Sequence, residues 1–563
     1  MYENSYVFYL LVHRVFRSVP AKLRRIKAVD IASWVEFKLI HDQLAEGKCA
    51  LAHKNVFLRL RMNTSQTPAS GSPATSLQDI IAHAKEYGFV FPSSEIYDGL
   101  QAVYDYGQNG VELKNNLKTL WWKAMTQLHD NVVGIDASIF MHPLTWKASG
   151  HVDSFNDPMI DNRDSKKRYR ADQLLELKAE AYANAGDEEK STALLQEMGR
   201  LLGDNDLEGV RNLIISEGIK DPVSGTDNWT EVRQFNLMFS TQVGSLAEDA
   251  SLIYLRPETA QGIFVNFLNV QKTGRMKVPF GIAQIGKAFR NEIVARQFTF
   301  RMREFEQMEM QFFVRPGTEM QWYETWRDAR MKFHQAVGLP ADKLKFHIHE
   351  KLAHYANAAV DIEYKFPFGF REMEGIHSRT DFDLKAHQEL SRKKQQYFDN
   401  EVDSATGKPY GNYIPYVVET SVGADRLFLA VFCNAFTKET VGEGDQQKER
   451  IYLKLHPALA PVKAAVFPLV RKDGLPEKAE EIVKSLRSEF RVVYEERDAI
   501  GKRYTRQDLI GTPFCIAVDY QTLEDETVTI RYRDTTEQIR VPISELKARI
   551  GQEVSMERVL EQM

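Results

Sequence analysis

Cysteine is scarce in this chain. Only Cys49, Cys433 and Cys515 occur in 563 residues, and none belongs to a Cys-x-x-Cys pair. That spacing excludes a structural zinc knot built on cysteine pairs. It also fits a reducing cytosol better than a disulfide framework. Long apolar runs are missing as well. The stretch Tyr6 to Val12 is far shorter than the roughly 20 residues needed to span a bilayer. No clear small-residue cleavage site follows it, and the basic residues after it leave a targeting peptide open. There is no excess of positive charge. With 73 Lys and Arg against 78 Asp and Glu, the net charge is −5. This excludes a globally basic nucleic-acid coat but permits local basic patches. No internal repeat is visible.

What is present is an ordinary globular composition, 43% hydrophobic and 27% charged. The length points to about three or four domains. Residues 1–61 carry a basic cluster, Arg14, Arg17, Lys22, Arg24, Arg25 and Lys27. Met62 then opens a low-complexity run rich in Ser, Thr, Pro and Ala, of the kind found at natural N-termini. The expectation is that translation starts at Met62, and that 1–75 is an atypical leader and flexible segment.

Periodicity predicts a short helix over 76–87 and a strong amphipathic helix over 111–128, the latter with Leu113, Leu117, Leu120, Trp121 and Met125 on one stripe. Residues 131–141 read as a strand ending at Pro143. Residues 172–217 read as a charged helical insertion, 251–315 as strand-rich, and 319–336 as a helix. Glu419 to Val422 reads as a strand running into Gly423 and a helix. A polar link, Gly442 to Arg450, precedes a change of pattern. From Val462 onward strands and helices alternate, which marks a separate α/β domain over 456–563.

Residues 286–313 are the most informative stretch. Two strand-like runs flank a basic link. Side chains of a strand alternate between faces. Arg301, Arg303, Phe305, Gln307 and Glu309 would therefore share one face, and Met302, Met308, Met310 and Phe312 the other. Arg290 and Glu292 likewise fall two residues apart. Guanidinium forks suit phosphate oxygens, and a planar ring can stack on a base. A half-exposed hairpin with a charged outer face explains the same pattern.

Three further segments stand beside this hairpin: Tyr254-Leu-Arg-Pro-Glu-Thr-Ala-Gln-Gly262, Glu372-Met-Glu-Gly-Ile-His-Ser-Arg379 and Glu419-Thr-Ser-Val-Gly-Ala-Asp-Arg426. In this order the four resemble the signature of class II aminoacyl-tRNA synthetases, specifically the homodimeric glycyl type. The resemblance extends over 76–555. It implies an α+β fold: an antiparallel-sheet catalytic domain over 76–450 with a helical insertion, then an α/β anticodon-binding domain. The helix at 111–128 and its strand resemble the family's dimer motif, the hairpin its second motif, and Gly423 to Arg426 its third.

The resemblance also implies roles. Arg290 would neutralise the α-phosphate of ATP, and Arg426 would clamp the triphosphate tail or the second face of adenine. These two are the implied catalytic residues. Glu292 would read the adenine amino group, Phe305 would stack on the ring, and Arg301 would hold the outer phosphates. Glu372 would face the phosphates through Mg²⁺, a hard ion that prefers oxygen. Asn291, Phe300, Met302, Arg303, Glu304, Met373, Gly423, Ala424 and Asp425 complete the implied ATP site. Glycine offers only an ammonium and a carboxylate. Glu258, Glu309 and Glu419 would hold the ammonium, and Ser421 would close the pocket. Arg170, Phe305, Glu306, Gln307, Met308, Thr420, Val422 and Gly423 complete the implied glycine site. A β-carbon would clash there, so no editing domain is required. The implied partners are tRNA(Gly), glycine and a second copy of the chain, in the cytoplasm, with no membrane and no zinc. Arg503, Tyr504, Arg506 and Gln507 interleave basic and aromatic groups in a way that suits an unstacked RNA loop.

Two departures stand out. Thr420 replaces the family's usual proline, and Gln108-Asn109 replaces a Pro-Leu turn. The sequence also leaves two other readings open. One is a class II synthetase for histidine, proline or threonine. The other is a catalytically silent paralogue that binds tRNA, although such a protein should have lost Arg290, Arg301 and Arg426.

Overall fold

In the computed structural model, residues 76–563 are described apart from 245–250, 294–296, 350–351, 353–354 and 443–446. The expected leader and the start at Met62 lie outside the described residues.

Helix α1 (Gly110–Thr126) buries Leu113, Leu117, Leu120, Trp121 and Met125, the stripe its periodicity requires. The strand after it, β1 (Val132–Gly134), has only three residues. The expected strand to Pro143 does not form. Beyond Ile135 the backbone has another partner: the Ala137 carbonyl accepts the Arg256 guanidinium at 2.6 Å. Phe140 makes only an isolated bridge with Leu255.

The helical segment contains three helices, Ala171–Asn184, Glu188–Gly203 and Leu207–Ser216. They cover a small sheet of Asn156–Asp161, Arg168–Arg170 and Arg233–Asn236. Ile160, Leu175, Val210 and Trp229 form a core of their own there. Three short helices cannot bury their apolar stripes on one another alone, so the module draws in strands on both sides of 172–217.

The catalytic region is built on one sheet. Its elements after β1 are α2 (Ala260–Thr273), β2 (Phe280–Phe289), β3 (Glu304–Val314), α3 (Glu319–Ala336), β4 (Leu344–Ile348), β5 (Ala358–Phe366), β6 (Gly369–Thr380), α4 (Phe382–Ser391), β7 (Tyr416–Gly423) and α5 (Ala424–Ala435). The strand order is β4-β5-β6-β7-β3-β2-β1. All neighbours are antiparallel except β1 with β2. One face carries Met308, Met310, Phe312, Val418 and Val422 into a core shared with α1, α3 and α5. Each such side chain contributes about 1.5–3 kcal/mol by leaving water. On the other face, Phe313 and Val417 pack under α2 and α4. The rest of that face opens as a cleft.

Within the apolar layer Glu374 of β6 is fully buried. It accepts from Arg330 Nε and pairs with His334 Nε2, both at 2.6 Å and both from α3. Burial raises Glu374, but the Arg330 charge and the His334 hydrogen bond outweigh it and hold the carboxyl below its usual range.

The expected polar link at 442–450 is partly strand. Lys448–Leu453 pairs with Phe436–Val441, because Tyr452 and Leu453 have an apolar layer to enter. The C-terminal sheet contains β8 (Ala464–Pro468), β9 (Val492–Tyr494), β10 (Phe514–Val518), β11 (Thr527–Tyr532) and β12 (Gln538–Pro542), in the order β9-β8-β10-β11-β12. Helices α6 (Leu475–Leu486), α7 (Ile500–Ile510) and α8 (Leu546–Val554) complete it. Arg450 and Arg531 both donate to Asp508 of α7, joining this sheet to the catalytic region. Among the described residues no helix is long and apolar enough to cross a membrane.

Candidate functional site

The cleft has a volume of about 230 Å³ and collects side chains from strands β3, β6 and β7, from the start of α5 and from the loops around them. Alternation along β7 turns Glu419, Ser421 and Gly423 into it, and alternation along β3 turns Phe305, Gln307 and Glu309. Strand β6 supplies more, with two irregularities of register along it. Ile362 pairs with Glu374 but Glu363 with Glu372, so Met373 is an extra residue in β6. Without it Glu372 would share the buried side with Glu374. A second irregularity against β7 falls at Arg379, between Ser378 and Thr380. The bulge at Met373 turns Glu372 into the cleft, and plain alternation along β6 turns Gly375, His377 and Arg379 there.

The mouth is basic. Arg290, just past the end of β2, donates from Nε to the Pro257 carbonyl at 3.0 Å. Its guanidinium lies 5.4 Å from the Phe155 ring and 5.3 Å from the Phe305 ring. Arg301 lies 3.9 Å from Glu292. Arg426 sits 4.5 Å over Phe300 and 3.0 Å from Glu372. Gly286 is required nearby, because a Cβ there would collide with the Arg256 guanidinium that ties the 254–262 segment to β2.

The floor is acidic. Glu258, Glu309 and Glu419 converge there, opposed by Arg379 and His377. Arg379 Nη1 lies 3.1 Å from Glu419 Oε2, and its other nitrogens hold Asp383 at 2.9 and 3.1 Å. His377 Nδ1 lies 3.0 Å from Glu419 Oε1. Gln311 Nε2 donates to both Glu309 and Glu419. Gln261 Nε2 donates to Glu258 at 3.1 Å, and His151 Nε2 lies 3.3 Å from the same carboxylate. Thr259 Oγ1 donates to Glu309.

These contacts divide the charge unequally. Burial raises Glu419, but the Arg379 charge and the His377 hydrogen bond outweigh it and hold it at about 2. Burial likewise raises Glu258, and His151 and Arg379 bring it below the usual carboxylate range. Glu309 lacks a comparable cation. Burial first, then the charges of Glu419 and Glu258, push it well above that range. Burial lowers His377, yet its bond to Glu419 leaves it raised.

Of the residues expected at the site, Arg290, Glu292, Phe300, Arg301, Met302 and Phe305 border the cleft, as do Glu372, Gly423, Asp425 and Arg426. Glu258, Gln307, Glu309, Glu419 and Ser421 do so as well. Others point elsewhere. Met308, Met373, Val422 and Ala424 are buried in the apolar layer. Thr420 faces the same layer, fully buried, and its hydroxyl has no hydrogen-bond partner among the described residues. Arg303 is not in the strand, which begins at Glu304, and it turns away to the Glu292 carbonyl. Glu304 pairs with Lys287 on the outer face, and Asn291 is tied through its backbone to Leu237. The Glu306 carboxylate turns to Lys114 and Lys118. Arg170 is taken by Asp157 and Asp172 at 3.1 and 2.5 Å. Gln311, His377 and Arg379 are site residues that sequence patterning left without a role. Extending the alternation of β3 by one step finds Gln311.

The expected RNA contacts on α7 need correction. Arg503 and Gln507 are buried, and Arg503 Nη1 donates to the Pro468 carbonyl at 2.6 Å. Arg506 is ion-paired with Glu495 and Asp498. The helix turns Arg503 and Gln507 inward, where Arg503 closes the joint between α7 and β8, while Arg506 stays partly exposed.

Among the described residues no group of three or more His, Cys, Asp or Glu side chains could hold a metal ion. Glu372 is a single carboxylate at the mouth, already beside Arg426. A Mg²⁺ fits there only as an ion carried largely by phosphate oxygens, which is a normal mode for this metal.

A seven-stranded, mostly antiparallel sheet with a cleft basic at one end and acidic at the other defines a class II aminoacyl-tRNA synthetase core. Residues 244–435 match the model of the tRNA synthetase class II core domain (G, H, P, S and T). Residues 157–237 match glycyl-tRNA synthetase insertion domain 1, and 463–553 an anticodon binding domain. A glycine–tRNA ligase of Chlorobaculum tepidum is 53% identical over 470 residues, covering 83% of this chain and 98% of its own. That of Geobacillus kaustophilus is 50% identical over 486 residues, covering 86% and 100%. A prolyl-tRNA synthetase from Cryptosporidium parvum, solved with halofuginone and AMPPNP, superposes with a TM-score of 0.52. It is 13% identical and covers 88% of this chain and 79% of its own, a likeness of fold alone. The chain belongs to the glycine–tRNA ligase family.

Proposed function

We propose that the cleft activates glycine with ATP and then charges tRNA(Gly). In the first step a glycine carboxylate oxygen bonds to the α-phosphorus of ATP, the bond to the β-phosphate bridge breaks, and pyrophosphate leaves. In the second, the 3′-hydroxyl of the terminal adenosine attacks the glycyl carbonyl and AMP leaves. The supporting observation is the polarity of the cleft. Three arginines at the mouth suit a triphosphate, and three carboxylates at the floor suit an ammonium.

Arg290 is positioned to neutralise charge that builds on the α-phosphate. Fixed charge aimed at the transition state usually contributes more to catalysis than any other single effect. Phe305 and Arg426 are the two walls of an adenine slot, and Glu292 is within it. Glu258, Glu309 and Glu419 would orient the ammonium so that the carboxylate faces phosphorus, which makes the reaction effectively unimolecular. No side chain needs to act as a nucleophile. Mg²⁺ carried by ATP would be held by Glu372 and would neutralise phosphate charge. The exposed side chains of Phe140 and Leu144, 59% and 47% accessible, lie just past the segment that resembles the dimer motif and support a homodimer. Three scattered cysteines support a cytoplasmic site of action.

ATP–pyrophosphate exchange driven in turn by each amino acid tests the reading. Exchange with glycine, and none with alanine, proline or histidine, is expected. Exchange driven by proline or histidine in place of glycine would overturn it.

A further inference from the structure

Beside the cleft lies a buried charge cluster that takes no direct part in the two chemical steps. It joins α1 to the ends of β3 and β7. Strand β7 stops at Gly423, whose register partner on β3 is Gln307. The next N–H of β3 on that side, that of Glu306, therefore has no strand partner. Asp425 takes its place: Oδ2 accepts the Glu306 N–H at 2.7 Å. One carboxylate thus ties the residue after Phe305 to the residue before Arg426. These are the two walls of the proposed adenine slot.

The other oxygen of Asp425 is held from outside the sheet. Lys114 Nζ of α1 lies 2.5 Å from Oδ1, and the Tyr106 hydroxyl donates to the same atom at 2.5 Å. Lys114 also lies 3.0 Å from Glu306 Oε2 and 4.2 Å over the Tyr106 ring. Lys114 is 5% exposed and Asp425 is 2% exposed. Water therefore screens this cluster little, and each removed partner matters more than on a surface. The second lysine, Lys118, reaches only the far oxygen of Glu306, at 3.0 Å. Without Lys114 the carboxylates of Asp425 and Glu306 would face each other with one partly exposed cation between them and solvent. Their repulsion would act directly on the tie between β3 and α5.

We infer that Lys114 is a positioning residue that sets the spacing between Phe305 and Arg426, and hence the affinity for ATP, without touching substrate. The inference rests on the reading of the cleft as an ATP site. It also distinguishes Lys114 from an ordinary buried ion pair, which would stabilise the fold without discriminating between the two substrates.

The test uses the full chain and its Lys114→Met, Lys114→Arg and Tyr106→Phe variants in glycine-dependent ATP–pyrophosphate exchange. Lys114→Met is expected to raise KM for ATP about tenfold or more, the size of one lost charge-assisted contact. KM for glycine should stay within about twofold, since Glu258, Glu309 and Glu419 are not part of the cluster. Lys114→Arg should recover most of the ATP affinity, because it keeps the charge. Tyr106→Phe removes one hydroxyl from a packed ring and should shift KM for ATP in the same direction by a smaller factor. It carries the test if Lys114→Met does not fold. Equal shifts in both KM values, or a lower Tm with neither KM changed, would overturn the inference. Absence of glycine-dependent exchange in the unaltered chain would instead refute the proposed activity itself.

Discussion

Glu309 and Glu419 accept hydrogen bonds from the same nitrogen, Gln311 Nε2, which lies 3.0 Å from one carboxylate and 2.7 Å from the other. They sit on adjacent strands, yet only Glu419 has Arg379 and His377 beside it. The pair is therefore asymmetric. Glu419 is ionised, and Glu309 retains its proton well above the ordinary carboxylate range. On the proposed reading a ligand ammonium would supply the missing positive charge, and Glu309 would lose its proton to receive it.

This gives a pH dependence with a definite sign. Below the raised pKa of Glu309, ammonium binding must displace a proton, so KM for glycine should fall as pH rises and level off above that pKa. By the same linkage, the protonated Glu309 favours the folded state at acid pH and that contribution is lost as pH rises through the raised value. Glu309→Gln should remove the pH slope and raise KM for glycine about 10- to 100-fold. Exchange assays across a pH series check both. A slope that persists in the variant would remove Glu309 from this role.

Arg290 is held over the cleft by the Pro257 carbonyl and by two aromatic rings. Arg290→Ala should lower exchange by about 10²- to 10³-fold, as loss of one preorganised charge donor does. Binding of tRNA, measured separately by filter retention, should persist. Unchanged exchange would sink the assignment.

Glu374 tests the face of β6 opposite to His377 and Arg379. Glu374→Ala would leave Arg330 and His334 buried without their shared acceptor. A broken buried pair destabilises by about 3–5 kcal/mol. A markedly lower Tm is expected, with substrate KM values little changed in protein that remains folded. An unshifted Tm would show that the triad does not hold α3 to the sheet.

Arg503 separates a structural role from an RNA contact. Its guanidinium donates to the Pro468 and Asp498 carbonyls. Arg503→Ala should destabilise the C-terminal domain by about 1–3 kcal/mol, the loss of charged hydrogen bonds inside a fold. The salt dependence of tRNA binding should not change, because no phosphate contact is lost. A shallower salt slope in the variant would restore Arg503 as a contact.

Legibility in the sequence followed the physics of each feature. Helices α1 and α3 were readable because a period near 3.6 records directly which side of a helix leaves water. The sheet faces of β3 and β7 were readable from period two, while only the family resemblance implied that Glu309, Glu419 and Ser421 meet. The short strand at Val132–Gly134 was not, because its end is set by the Arg256 guanidinium, 119 residues along the chain from the carbonyl it holds. The bulge at Met373 was hidden for the same reason: an inserted residue is defined by the partner strand, not by its own sequence. Arg303 and Arg503 look like their solvent-facing neighbours in sequence, and only packing turns one to a carbonyl and buries the other.

The order of residue types alone determined the family signature and the sheet-and-helix periods, and that signature implied which arginines and glutamates would meet phosphate and ammonium. Those are local properties of side-chain chemistry and backbone repeat. The tertiary structure alone decided which of these charges are free. Asp425 and Glu306 are neutralised by Lys114 from a distant segment, and Arg170 by Asp157 and Asp172 nearby in the chain. Gln311, His377 and Arg379 join the floor because the sheet sets β3 and β6 on either side of β7, so that all three reach Glu419. Charge balance in a site screened little by water depends on distances of a few ångströms, and those distances exist only once the sheet is assembled.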